Sequence, residues 1–90
     1  MDFEWDRQKG RENERKHGVT FEEASQAFGD DFSTTVPDPD HSIDEERFLH
    51  FGRTFQDKFV VIAFIERNGR IRIISARPMS ASAAISKARS

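Results

Sequence analysis

A hairpin signal in the second half of the chain constrains the fold more than any other feature. Asn68-Gly69 is the dipeptide that best fits a two-residue β-hairpin turn, and strand-like runs lie on both sides of it. The run before it, KFVVIAFIER, is apolar on both faces, which is typical of a central strand. The run after it, RIRIISAR, alternates arginine with isoleucine. Together with RFLHFGR further upstream, these runs predict three antiparallel strands in meander order.

Two helices are predicted before these strands. The polar segment RQKGRENERKH follows Asp6, a good N-cap residue, and ends at Gly18, the residue type favoured just after a helix. In VTFEEASQAFG, Thr20 and Glu23 have the spacing of a capping box, and apolar side chains recur on one helical face up to Gly29.

The remaining segments complete an α+β fold. A short strand, DFEW, is expected before the first helix, and the acidic segment DDFSTTVPDPDHSIDEE is expected to be an irregular connection with a few extended residues around FSTTV. After Pro78, Ser80 is placed to cap a last helix. The order β-α-α-β-β-β-α puts helices on one face of an antiparallel sheet. Without a linker or repeat, residues 1–90 form a single domain.

Composition excludes several kinds of site. The chain has no cysteine, so disulfides, thiolate zinc sites and thiol nucleophiles are excluded. Its longest apolar run, FVVIAFI, is far shorter than the roughly 20 residues that cross a bilayer. The acidic N-terminal end has no signal-peptide core. We therefore expect a cytoplasmic protein without a membrane partner.

Charge is unevenly distributed along the chain, although the formal net charge is only −2. Residues 21–46 contain nine acidic residues and no lysine or arginine, whereas residues 47–90 contain nine lysines or arginines and two acidic residues. The basic part suits an anionic ligand and the acidic part a basic partner. Mutual neutralisation of the two parts across the fold explains the pattern equally well.

The arginines of RIRIISARP need an explanation, because arginine is rarely buried without a partner. Strict alternation puts Arg70 and Arg72 on the open face of the sheet, but it gives Arg77 the parity of the core-facing isoleucines. Either a bulge near Ser75 reverses the alternation, or Arg77 emerges at the end of the sheet beside the helices. Its expected partner is a carboxylate, for which the DEE run is a source, or an external phosphate. On spacing alone, the salt bridge is favoured.

Several segments, taken in order, carry a family resemblance. They are FEWD, N..KHGV.FEEA...F over residues 13–28, PDPDH, EERF and RIRIISAR. From Phe3 to Arg77 the chain resembles the BrnT toxin family, small bacterial ribonucleases of type II toxin–antitoxin systems. After Arg77 it departs from the family, because PMSASAAISKARS has neither the glutamate nor the tyrosine usual there.

The resemblance implies a RelE-like fold and an endoribonuclease that cleaves RNA without a metal or other cofactor and arrests growth. It also implies neutralisation by a BrnA-like antitoxin, with DNA reached only indirectly through that antitoxin. The assembly would be a hetero-oligomer such as a toxin–antitoxin heterotetramer, and the unpaired sheet edges also permit a homodimer.

Metal-independent RNA cleavage needs a base, cations for the phosphate and an acid. We assign these roles as hypotheses. Glu46 is the base, Arg72 and Arg77 clamp the phosphate bidentately, Lys16 is a second cation and His17 is the acid. Plainer interpretations exist: Glu46 is an arginine's salt-bridge partner, and Lys16 and His17 are cations favoured by the dipole at a helix C-terminus.

Two other functions stay open. The first is a catalytically inactive binding module that pairs with a basic or DNA-binding partner through the acidic middle segment and acts in transcriptional autoregulation. The second is a metal-dependent hydrolase built on DPDH, although two prolines and the lack of a second histidine cluster favour an acidic loop there. Trp5 is a residue on which a base could stack, but its place beside the first helix cap favours a role in covering the core.

Overall fold

The structure, a computed structural model, describes residues 1–79. The elements of this part are β1 (Phe3–Glu4), α1 (Arg7–His17), α2 (Phe21–Ser25), a first 3₁₀ helix (Gln26–Gly29), β2 (Thr34–Pro37), a second 3₁₀ helix (Pro39–His41), β3 (Arg47–Arg53), β4 (Phe59–Arg67) and β5 (Arg70–Pro78). The α+β class is confirmed, while the last helix predicted from Ser80 lies outside the described residues. Neither α-helix of residues 1–79 has the length and apolar character of a membrane span.

The strands form one sheet in the order β1-β5-β4-β3-β2. From β2 to β5 neighbours are antiparallel, while β1 runs parallel to β5. β4 has a strand on each side, as its two apolar faces predict. Asn68 and Gly69 have φ angles of 55° and 76°, the positive values that a tight hairpin turn requires.

The sheet has one strand that the predicted order lacks. β2 lies in the segment expected to be irregular, and it pairs with β3 from Thr34↔Phe51 to Pro37↔Phe48. It has only four residues and ends in a proline, which an edge strand tolerates. The formation of β2 depends on pairing with β3, so the residues of β2 alone predict a strand only weakly.

Both helices begin at the predicted N-caps, and α1 also ends at its predicted glycine, whereas α2 ends at Ser25 rather than at Gly29. Asp6 accepts a hydrogen bond from the backbone N–H of Lys9 at 3.0 Å, which holds the pKa of that carboxyl below its usual value. Gly18 ends α1 in the left-handed conformation, with φ 71°. Thr20 Oγ1 accepts from the backbone N–H of Glu23 at 3.0 Å. The second helix is α-helical for little more than one turn, and the first 3₁₀ helix continues it.

The core lies between the helices and one face of the sheet, here called the core face. Its fully enclosed side chains are Val19, Phe21, Ala24, Ala27, Val60, Ile62, Ile73 and Ala76. Each large one contributes about 1.5–3 kcal/mol through burial. Trp5 packs at the margin of this cluster, with its ring edge-on to Phe21 at 6.0 Å. Its predicted role in covering the core agrees with this position.

The first 3₁₀ helix packs directly on β3. A Cβ atom at Gly52 would lie 2.6 Å from the carbonyl oxygen of Ala27, so this contact requires glycine. His50 is 4% exposed, and its Nε2 donates to the carbonyl oxygen of Ala27 at 3.0 Å. Because the neutral ring carries its proton on Nε2, Nδ1 accepts a hydrogen bond from Thr35 Oγ1 at 2.7 Å. Burial lowers the pKa of His50. The neutral ring stacks on Phe28 with a centroid distance of 4.0 Å.

Candidate active site

An irregularity in β5 decides where its arginines point. Phe64 pairs with Ile73 and the preceding Ala63 pairs with Ser75, so Ile74 is one extra residue opposite β4. An extra residue of this kind is a β-bulge, which reverses the alternation of side chains along the strand.

The bulge places all three arginines of β5 on the same face. Ile73 and Ala76 are three residues apart, yet both are enclosed on the core face, with exposures of 1% and 0%. Arg70 and Arg72, before the bulge, and Arg77, after it, therefore lie on the opposite side, here called the open face. Of the two alternatives for Arg77, the bulge is confirmed.

The open face is apolar in the middle and basic at both ends of its strands. The strand register places its arginines as follows: Arg47, Arg67, Arg70 and Arg72 at one end, and Arg53 and Arg77 at the other. Between them lie Leu49, Phe51, Val61, Ala63 and Ile65. At the usual rise per residue, Arg72 and Arg77 are roughly 15 Å apart along β5. At this separation their backbone positions do not match one bidentate clamp on a single phosphate, and they fit phosphates that are more than one nucleotide apart.

The arginines differ in whether a carboxylate already neutralises them. Arg72 Nη1 lies 2.7 Å from Glu4 Oε2 on the adjacent β1. Arg67 Nη2 lies 2.7 Å from Glu45 Oε1, and this hydrogen bond raises the pKa of Arg67. Arg77 forms no ion pair within residues 1–79. The salt bridge favoured for Arg77 is thus not formed in this part of the chain, and the DEE run supplies its carboxylate to Arg67 instead.

Arg47, like Arg70 and Arg77, is a cation of this face that forms no ion pair within residues 1–79. Its Nε is enclosed and has no hydrogen-bond partner. Buried donors in folded proteins are nearly always paired, so Arg47 Nε is an exception among the described residues.

Asn13 fixes α1 against the edge of β5. The side chain is 7% exposed, and its Nδ2 donates to the carbonyl oxygens of Ala76 at 2.7 Å and of Val19 at 2.9 Å. Its Oδ1 accepts from the backbone N–H of Ala76 at 3.0 Å. One amide thus satisfies both edge-facing backbone groups of this strand residue, as a neighbouring strand would. In the sequence, Asn13 had no signal beyond its position in the family pattern.

A groove between α1 and β5 collects several of the predicted site residues. It is lined by Lys9, Glu12, Asn13, Lys16 and His17 from the helix and by Ile74 and Ser75 from the bulge. Lys16 and His17 are both exposed and lie beside the bulge, while Arg72 and Arg77 lie before and after it along the strand. The structure therefore brings Lys16 and His17 together in the groove, while Arg72 and Arg77 lie on the open face of the strand that forms its other wall.

Glu46, the predicted base, lies apart from this edge. It is exposed and directly precedes β3, which β4 separates from β5. At the usual strand spacing its backbone is roughly 10 Å from β5, and α1 lies on the far side of β5. Glu12, which sequence analysis did not select, is the carboxylate that lines the groove with Lys16 and His17.

The DPDH segment lies in the second 3₁₀ helix, away from the groove. Its histidine and first aspartate contact each other, with 3.0 Å between His41 Nδ1 and Asp38 Oδ2. Within residues 1–79, no three histidine, aspartate or glutamate side chains are grouped to hold a metal ion. This arrangement gives no support to the metal-dependent hydrolase.

Comparison with known proteins agrees with the sequence resemblance. Residues 5–82 match the family described as "Ribonuclease toxin, BrnT, of type II toxin-antitoxin system". The fold is similar to the crystal structure of the Brucella abortus ribonuclease toxin BrnT, with a TM-score of 0.70, 20% sequence identity, and coverage of 89% of this chain and 97% of that chain. No curated protein gives a significant match. Since the family match spans most of its length, the chain belongs to the BrnT family of ribonuclease toxins of type II toxin–antitoxin systems.

Proposed function

We propose that this protein is a metal-independent endoribonuclease whose active site is the α1–β5 groove together with the arginines on either side of the bulge. The proposal is carried by one observation. Lys16 and His17 line the same groove as the bulge of β5, and this bulge lies between Arg72 and Arg77 along the strand. Cleavage of cellular RNA in the cytoplasm then arrests growth.

The cations of this region suit a single-stranded RNA backbone. Arg77 and Lys16 form no ion pair within residues 1–79, so each is free to bind a phosphate. Guanidinium and ammonium groups that face a phosphate also stabilise the charge that develops on it during the reaction. Arg72 is already paired with Glu4, so its main role is to position the RNA backbone.

The acid and base are proposed from the residues of the same groove. The base removes the proton from a ribose 2′-hydroxyl, and the oxygen attacks the adjacent phosphorus. The bond to the 5′-oxygen breaks, and the acid protonates that leaving oxygen. The products are a 2′,3′-cyclic phosphate and a 5′-hydroxyl. His17 is proposed as the acid, and geometry favours Glu12 over Glu46 as the base because Glu12 shares the groove.

The proposal is tested by incubating the purified protein with a labelled single-stranded RNA in the presence of EDTA. We expect cleavage that survives the chelator and yields 2′,3′-cyclic phosphate ends. A chelator-sensitive reaction would contradict the metal-free mechanism. Growth arrest on expression, relieved by co-expression of a BrnA-like antitoxin, is the expected cellular counterpart.

The catalytically inactive binding module remains the alternative, and one observation favours it. Arg72 is already neutralised by Glu4 at 2.7 Å, as expected of an arginine with a structural role. Intact RNA after incubation with the folded protein, combined with binding of the antitoxin, would support this function over the nuclease.

A further inference from the structure

Two exposed phenylalanines line one depression at one end of the sheet. Phe32 is 90% exposed and Phe55 is 79% exposed. Both line one depression, here called the two-phenylalanine surface, whose other residues are Gln26, Gly29, Asp30, Asp31, Arg53, Thr54 and Asp57. Single exposed apolar residues are ordinary, but two aromatic rings at one depression indicate an interaction surface.

Side-chain hydrogen bonds tie together the two turns that carry these rings. Asp30 Oδ1 accepts from the N–H of Phe32 at 3.1 Å, and Asp30 Oδ2 accepts from the N–H of Arg53 at 2.9 Å. Gln26 Oε1 accepts from the N–H of Phe55 at 2.9 Å. The rings are therefore displayed from ordered backbone, which lowers the entropy that a partner must overcome on binding.

The turn between β3 and β4 is further held by Thr54, which is 3% exposed. Its Oγ1 accepts from the N–H groups of Gln56 and Lys58, both at 3.3 Å. Asp57 has a φ of 62° in the same turn. Phe55 is thus exposed at a fixed position rather than on a loose loop.

The charges around the rings select the class of partner. Asp30, Asp31 and Asp57 line the surface, and Arg53 is the one cation among its lining residues, with its Nε 3.6 Å from Asp57 Oδ1. A net negative surface repels RNA and attracts a basic protein segment. Aromatic rings within such a rim suit an apolar side chain flanked by lysine or arginine.

The surface adjoins the open face. Arg53 lines the surface and also lies on the open face, where its guanidinium is 5.9 Å from the centre of the Phe59 ring. Phe59 is two residues from Val61, the β4 partner of Arg77. A partner bound at the two-phenylalanine surface is therefore next to the Arg77 end of the proposed RNA path.

We propose that the two-phenylalanine surface is the docking site for a basic segment of the antitoxin, which there obstructs RNA at the Arg77 end of the open face. The identity of the partner rests on the proposed function. The position of the site rests on the exposed rings and their acidic rim.

The test is the affinity of the purified protein for its antitoxin, measured by calorimetry for Phe32→Ser, Phe55→Ser and the wild type. Ile43→Ser is the matched control, because Ile43 is 89% exposed outside this surface. We expect each phenylalanine variant to bind at least about tenfold more weakly, as truncation of an aromatic anchor does, and the control to bind like the wild type. Asp31→Lys should also weaken binding.

Two results would overturn the inference. Equal antitoxin affinity of all variants would show that the antitoxin binds at another surface. If Phe32→Ser then abolished self-association of the protein, a second copy of this chain would be the partner bound at the two-phenylalanine surface. Absence of antitoxin binding by the wild type would overturn this inference together with the partner named in the proposed function. Circular dichroism on each variant confirms that the substitutions leave the fold intact.

Discussion

The α1–β5 groove and the two-phenylalanine surface use the same structural device to present opposite chemistry. In the groove, the amide of Asn13 binds backbone groups of two other segments, and cations are exposed around it. At the other surface, the carboxylate of Asp30 joins two turns, and aromatic rings are exposed around it. One polar side chain thus positions each surface, while the neighbouring side chains determine which kind of partner is attracted.

The separation of charge seen in the sequence largely persists in the fold. Within residues 1–79, two ion pairs connect the acidic segment 21–46 with the basic part after it, Lys58–Glu23 at 3.3 Å and Arg67–Glu45 at 2.7 Å. Mutual neutralisation therefore accounts for a minor share of these charges. Of the other charges, Arg72 pairs with Glu4 and Arg53 lies near Asp57, while Arg77 on the open face and Asp31 beside the exposed phenylalanines form no ion pair within residues 1–79.

The largest expected effect concerns the two candidate bases. Glu12→Gln should lower kcat/KM for RNA by about 10²–10⁴-fold, the usual contribution of a general base, because the amide cannot accept the 2′-hydroxyl proton. Glu46→Gln, an exposed carboxylate outside the groove, should change it little. The reverse result, measured on the same labelled RNA, would return the base to Glu46 and move the reaction toward β3.

The two anchoring residues should differ in their effect on stability. Asn13→Ala leaves the backbone groups of Ala76 buried without partners and should lower the free energy of unfolding by about 2–4 kcal/mol. Asp30→Ala removes hydrogen bonds that are open to water, and a loss of about 1–2 kcal/mol is expected. Urea denaturation of both variants measures the difference. Equal losses would show that the groove is no more rigidly fixed than the other surface.

Close packing beneath the two-phenylalanine surface gives a third prediction. Gly52→Ala puts a methyl group against the Ala27 carbonyl and should lower the free energy of unfolding by about 1–3 kcal/mol, the usual range for overpacking. Gly29→Ala is the control, because a Cβ there meets no atom within 4 Å. If both variants have the same melting temperature, the tight contact between the 3₁₀ helix and β3 is not present in solution.

The smallest effect is a pH dependence from His50. Well above about pH 6.5, the pKa of an unperturbed histidine, the ring is neutral in both the folded and the unfolded chain and adds no slope. Below that pH the unfolded chain binds a proton that the buried ring resists, because burial lowers the pKa of His50, so the free energy of unfolding falls as the pH falls. Denaturation at pH 7.5 and pH 5.5 should show this loss, and His50→Gln should reduce it. An unchanged slope in that variant would assign the effect to other groups.

The features predicted correctly are those with local causes. The Asn68-Gly69 turn, the caps Asp6 and Thr20, and the central position of β4 each follow from residues close together in sequence. The bulge at Ile74 was one of two alternatives, because alternation alone does not show where a strand slips against its neighbour.

The features that sequence analysis missed depend on distant pairing. Arg72 is neutralised by Glu4 because β1 returns to pair in parallel with β5. Glu46 is separated from the groove because β4 lies between β3 and β5. Nothing in the sequence distinguishes Glu12 from the other charged residues of its polar helix. Only the packing of that helix beside the bulge places Glu12 in the groove.

The most direct test of the central claim, that RNA is cleaved beside the bulge of β5, compares Arg77→Ala with Arg70→Ala. Both arginines are exposed on the open face of the same strand, but Arg70 lies at the hairpin end, away from the groove. We expect a loss of at least about 10²-fold in kcat/KM for Arg77→Ala, the scale of one lost transition-state contact, and nearly full activity for Arg70→Ala. Equal activity of the two variants would contradict cleavage at this position.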